Sequence, residues 1–203
     1  MRFLERISED EMIASFLKTE IYSPRFGQEI ENILKRDGIE KRIIEEPQLH
    51  QKSENRTRMK ILSEYRGYGK NKELFEDFPN NVIWEKIILN KDDLVRLKYI
   101  DYSYWIELSG GSRKVTDGVR NIRKGLEVYG LSNEGFLKLA EKIRNGIKLP
   151  EIIIVSERKV SDEYVILEGH VRVTAYLLAG EKSPETQYAI LGYSSQMNKW
   201  MKI

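Results

Sequence analysis

The chain has no cysteine among its 203 residues and only two histidines, His50 and His170. That excludes disulfides, thiol catalysis and cysteine metal ligands, and it leaves too few imidazoles for a histidine-rich metal site. No apolar run approaches the roughly 18 residues that a membrane span needs, and no amino-terminal signal pattern is present, so the expected location is the cytoplasm, with no membrane partner. An excess of one charge is missing too: 34 basic and 32 acidic residues leave +2, which gives no general field for drawing in nucleic acid. Any polyanion site has to be local. What remains, 40% hydrophobic and 33% charged residues, suits a globular chain able to bury a core.

Residues 1–78 read as a helical extension, with apolar residues three and four apart over Glu9 to Leu17, Gly27 to Arg36 and Thr57 to Tyr65. The polar stretch from Glu46 to Arg56 reads as a loop or helix start. Arg56, Arg58, Lys60, Arg66 and Lys70, interleaved with Tyr65 and Tyr68, could touch nucleic acid, although a solvated helix face explains them more simply. Asp77-Phe78-Pro79-Asn80-Asn81 marks a break, and residues 82–203 read as a second, α/β domain. There Val82 to Leu89 and Glu151 to Val155 read as strands, Asp92 to Tyr99 as a short helix, and Ser132-Asn133-Glu134 as the start of a helix to Arg144 with Leu131 packed over its first turn. Tyr188 to Leu191 reads as a final strand.

The most informative segment is Glu168-Gly169-His170-Val171-Arg172, between the apolar strand Tyr164 to Leu167 and the helix Val173 to Ala179. Glycine at such a turn permits close backbone approach, the first helical N–H groups lack intrahelical partners, and the helix dipole adds partial positive charge. Arg172 supplies a donor fork for phosphate oxygens and is expected to be exposed; His170 can donate, accept or move a proton near neutral pH. The plain alternative is a βα turn with a solvated His and Arg. A second candidate follows the aromatic run Tyr99 to Leu108, which includes Tyr102, Tyr104, Trp105 and Glu107. Its end, Ser109-Gly110-Gly111-Ser112-Arg113, could fold backbone N–H groups around an anion, or serve as an ordinary surface loop beneath core aromatics.

The order helix, Gly-Ile-x-x-Pro, strand, strand, Gly-x-x-Arg turn, helix, strand over residues 109–192 resembles the ParB/sulfiredoxin superfamily. Asn145 to Val155 is similar to the segment entering its central sheet, Ser109 to Arg113 to the arginine-ending loop before a helix, and Gly169 to Arg172 to its phosphate-binding turn. The resemblance implies a small mixed sheet with helices, an α/β (α+β) fold. Sulfiredoxin chemistry needs cysteine directly after the turn glycine; His170 stands there, so peroxiredoxin repair is excluded. Partition proteins carry a helix-turn-helix domain behind the turn, whereas eleven residues follow Gly192 here, so partition-type DNA binding is not expected. The nearest branch in residue type includes free-serine kinases, with an acidic residue before Gly-His-x-Arg. Theirs is Asp; Glu168 is one methylene longer.

The resulting expectation is a phosphotransferase moving phosphate from ATP or ADP, with CTP as a further option, to a small hydroxyl-bearing metabolite, with Mg²⁺ held partly by the phosphates. Gly169, His170, Val171, Arg172, Arg113, Ser112 and Gly111 would bind phosphate. Glu168 would accept the hydroxyl proton or meet the metal through water, His170 would donate to a phosphate oxygen, and Tyr102, Tyr104, Trp105 and Glu107 would shape the acceptor pocket. Glu168 serves equally well, on sequence alone, as a carboxylate stabilising the helix start. The alternative function is a nucleotide-gated interaction module without turnover; a nuclease or nucleic-acid binder comes last. The acceptor, the base and a homodimeric state are left open.

Overall fold

Ser8 ends one element and begins another. Before it, Arg2–Ile7 forms strand β1. After it, the Ser8 hydroxyl accepts from the Glu11 N–H at 3.2 Å and opens helix α1, Glu9–Glu20, whose acidic first turn faces the positive end of the helix dipole. The computed structural model describes residues 1–201. The chain divides into two compact units: Arg6–Trp84, and Met1–Glu5 with Glu85–Ile203.

The Arg6–Trp84 unit is helical, with α1 followed by α2 (Gly27–Arg36), a short α3 (Arg42–Glu45) and α4 (Lys52–Arg66). Met12, Ile13, Phe16 and Leu17 of α1, Ile30 of α2 and Ile61 and Leu62 of α4 are buried at the three- and four-residue spacing of one helix face. α4 starts five residues ahead of Thr57, inside the stretch expected as a loop or helix start, and Glu54, Asn55 and Arg58 form a buried polar network in its first turns. Arg58 is 0% exposed, and it donates to the Ile43 carbonyl at 2.9 Å and to Asn55. Arg66 lies over the Phe26 ring at 4.2 Å, and the Tyr65 and Tyr68 hydroxyls donate to Glu20 and Glu9. Of the residues suspected of touching nucleic acid, Arg58, Arg66 and both tyrosines make contacts that hold this unit together, and Arg56, Lys60 and Lys70 are exposed.

The other unit carries the sheet. After β1 come β2 (Ile83–Asn90), α5 (Lys91–Leu94), β3 (Leu97–Lys98), α6 (Ser103–Leu108), α7 (Val115–Arg123), α8 (Glu134–Arg144), β4 (Ile152–Ser156), β5 (Tyr164–Glu168), α9 (His170–Ala179), β6 (Thr186–Tyr193) and α10 (Met197–Met201). The sheet is six-stranded and mixed, in the order β1-β2-β6-β4-β5-β3. β4 runs parallel to β6 with Ile154 opposite Leu191, and antiparallel to β5 with Val155 opposite Val165. β4 is buried along its whole length, as expected of a central strand covered on both faces. Ile154 and Ile166 share a core with Val119 and Ile122 of α7, Phe136, Ala140 and Ile143 of α8, and Val173 and Tyr176 of α9.

Three sequence expectations need correction. The amino terminus is not wholly helical: β1 joins the sheet, and Met1–Glu5 group with the residues after Trp84, so the division is not the simple one at 78–82. The helix expected over Asp92 to Tyr99 stops at Leu94. A capping box closes that single turn, Asn90 and Asp93 each bonding the other's backbone N–H, and Leu97 and Lys98 then pair in parallel with Tyr164 and Val165. Leu131 is 56% exposed and does not staple α8.

Candidate functional site

The turn after β5 results from three local choices. Ile153 pairs with Glu168 and Ile154 with Ile166, so Leu167 is an extra residue in the ladder, and the bulge re-aims the end of the strand. Gly169 takes φ 102° and ψ 20°. A Cβ there would stand 2.7 Å from Ile152 Cγ2 and 2.9 Å from Arg172 Nη2, so the fold itself demands glycine before any ligand does. Gly169, at the N-cap of α9, has no side chain with which to hold the first N–H groups of the helix, and a helix start is the place where an anion is best received.

Arg172 turns back one helical turn and donates through Nη2 to the Glu168 carboxylate. It is 8% exposed, whereas the sequence suggested an exposed side chain. Its Nε is buried and has no hydrogen-bond partner among the described residues. The turn thus holds a guanidinium that is mostly committed to a carboxylate yet keeps one unused charged donor. Val171 is the exposed member of the motif, so its contribution to an anion would come from its backbone N–H.

His170 is not solvated at random. Its ring stacks on Trp105 with centroids 5.0 Å apart and planes 17° apart, and on Tyr99 at 6.3 Å and 21°. Its Nε2 accepts from the Ile100 N–H at 3.4 Å, which assigns the ring proton of the neutral form to Nδ1. Any donation to a phosphate oxygen therefore comes from Nδ1. β3 brings this about: it pairs with β5, so the chain leaving β3 runs beside the turn leaving β5.

The Tyr99–Ile100 peptide is gripped from both edges. Its N–H goes to His170, and its carbonyl accepts from Arg113 Nε at 3.0 Å. Arg113 also donates through Nη1 to the Met201 carbonyl at 3.0 Å, while its Nη2 is buried and without a partner among the described residues. Burial lowers the Arg113 pKa, opposed by Asp101 and Glu163. Arg113 thus reaches His170 through a shared peptide.

The segment Ser109 to Arg113 is the carboxyl end of α6. Gly110 donates to Glu107, Gly111 to Ile106, Ser109 to Trp105, and the Arg113 N–H to the Ser109 hydroxyl at 2.9 Å; these donors serve the fold, so the segment does not wrap an anion with them. The Ser112 hydroxyl donates to Asp117 at 2.6 Å. Of the aromatics, Trp105 reaches His170, and Tyr104 meets Trp105 edge-on at 5.0 Å and 88°. Tyr102 caps the start of α6 through its carbonyl, and Glu107 is exposed.

Sequence reasoning undervalued Tyr99, which is 0% exposed and shares a 2.7 Å hydrogen bond with Thr174 of α9. Burial raises its phenol pKa. The available signal was Gly118: glycine inside a helix costs about 1 kcal/mol, and here a Cβ would lie 2.7 Å from the Tyr99 hydroxyl.

No family model, curated protein or solved structure matches the chain. No group of three or more His, Asp or Glu side chains gathers as a metal site, and no helix is long and apolar enough to cross a membrane, among the described residues.

Proposed function

We propose that the protein binds a nucleotide through the turn Glu168 to Arg172 and transfers phosphate from ATP or ADP to a small hydroxyl compound. The observation that carries this reading is the buried Nε of Arg172, without a hydrogen-bond partner among the described residues, in the first turn of a helix that opens on the left-handed glycine Gly169. Phosphate would take the α9 N–H groups and compete with Glu168 for Arg172, releasing the carboxylate. Released Glu168 becomes the one acidic group of the turn able to accept a hydroxyl proton or touch Mg²⁺. That ion, held chiefly by phosphate oxygens, would neutralise charge during transfer. His170, fixed by Trp105 and Ile100, would present Nδ1–H to the phosphates.

The ion pair itself favours a second reading. A carboxylate paired with a guanidinium is a poor base, and a pair that opens when phosphate arrives is also a switch, as in a nucleotide-gated module without turnover. Glu168→Gln separates the two. With saturating nucleotide, Mg²⁺ and a pool of hydroxyl metabolites, transfer followed by mass should occur in the wild type and vanish in the variant while nucleotide is still bound. Binding without transfer in both proteins selects the module.

A further inference from the structure

The Arg6–Trp84 unit contains a cleft of about 270 Å³, just below the roughly 300 Å³ at which drug-sized ligand pockets begin and so suited to a small ligand. Met59, Tyr68, Phe75 and Phe78 give it an aromatic and thioether lining, and Asn71 adds an amide. Phe75 stands edge-on to Tyr68 at 4.7 Å and to Phe78 at 5.1 Å, so the rings are fixed in mutual orientation. Glu9, in the first turn of α1, is the only charged residue lining it.

The loop forming this wall is held in left-handed backbone conformations. Asn71, Glu73 and Asp77 have φ of 49°, 53° and 60°, and the Asp77 N–H is tied to the Asn71 side chain at 2.6 Å. Asparagine and aspartate adopt that region readily, whereas Glu73 keeps it only where its surroundings over-determine it. The Tyr68 hydroxyl donates to Glu9 at 2.5 Å, and burial together with that carboxylate raises the phenol pKa, keeping it a donor. Among the described residues Glu9 has no basic partner. A carboxylate without a counter-ion, set beside ring faces in a concave site, complements a positive charge carried on an apolar body; an anion would be repelled, and a neutral apolar ligand would leave the carboxylate unused.

We propose that this cleft binds a small organic cation of the alkyl- or methylammonium class, its charge against Glu9 and its alkyl groups against Phe78 and Met59. This proposal is independent of the nucleotide reading. The test uses the full chain with ¹³C-methyl methionine, assigns the Met59 signal with Met59→Leu, and titrates choline against its uncharged isostere 3,3-dimethylbutanol at constant ionic strength. Choline should shift the Met59 methyl saturably and bind about tenfold more tightly than the alcohol. Glu9→Gln, which still accepts from Tyr68, should abolish that preference. Phe78→Leu, a variant leaving the helix start untouched, should weaken choline about threefold or more. The proposal is overturned by an unmoved Met59 signal, by equal affinity for the two compounds, or by choline affinity unchanged in whichever of the two variants folds.

Discussion

Glu168 and Arg172 close an ion pair across the βα turn, the carboxylate at the end of β5 and the guanidinium one turn into α9. This pair binds the fold to the proposed function, because the group suited to hold phosphate is already held by an acid.

Arg172→Ala should destabilise the protein by about 3 kcal/mol, since it strips the counter-charge from a largely buried carboxylate. Arg172→Lys should lose less, and Glu168→Gln with Arg172→Met should recover much of the loss. Urea midpoints measure this; a midpoint unchanged in Arg172→Ala would mean that the pair contributes nothing.

Gly169→Ala should cost about 1 to 3 kcal/mol, because a Cβ must meet Ile152 at 2.7 Å in a left-handed conformation. Thermal unfolding of the apo protein reads it, and a wild-type melting curve would show that the turn tolerates a side chain.

Arg113→Lys should keep the charge yet lose the two-point grip on the Tyr99 and Met201 carbonyls. The Tyr99–Ile100 peptide would loosen and release His170 from Trp105, so near-ultraviolet dichroism should weaken while helix content is retained. An unaltered aromatic spectrum would separate Arg113 from the His170 stack.

Asp93 is 3% exposed. Burial raises its pKa, but the Met1 amino group at 2.5 Å, the Asn90 N–H and Arg96 outweigh burial and bring it below the ordinary value. A depressed folded value gives stability that is present above the unfolded value, about 3.9, and lost as pH falls through the folded one. Asp93→Asn should therefore be less stable than wild type at pH 7 by about 1 kcal/mol, with the gap closing in acid below about pH 4. A gap independent of pH would contradict the role of its charge.

The sequence made α2, α8 and the strand–turn–helix at Gly169 legible because each has a long apolar period or a glycine at a forced position. β1 was not legible: its apolar residues Phe3, Leu4 and Ile7 do not alternate along the strand, and only pairing in the sheet makes the segment one. At the site, Trp105 and His170 could be nominated from residue type, but their stacking depends on β3 lying beside β5, a contact between residues some 65 apart in sequence. The burial of Arg172 was hidden for a related reason. A first-turn arginine looks solvent-facing until Glu168 is seen to turn toward it at the bulge.

Nucleotide binding by the wild-type protein tests the central claim most directly. In a thermal-shift and calorimetric series with ATP, ADP, CTP and GTP plus Mg²⁺, at least one nucleotide at 100 times its dissociation constant should add about 2.7 kcal/mol of stability. Glu168→Gln, freed of the competing carboxylate, should bind that nucleotide at least as tightly. Absence of binding by any of the four to either protein would contradict the assignment of the Glu168 to Arg172 turn as a phosphate site.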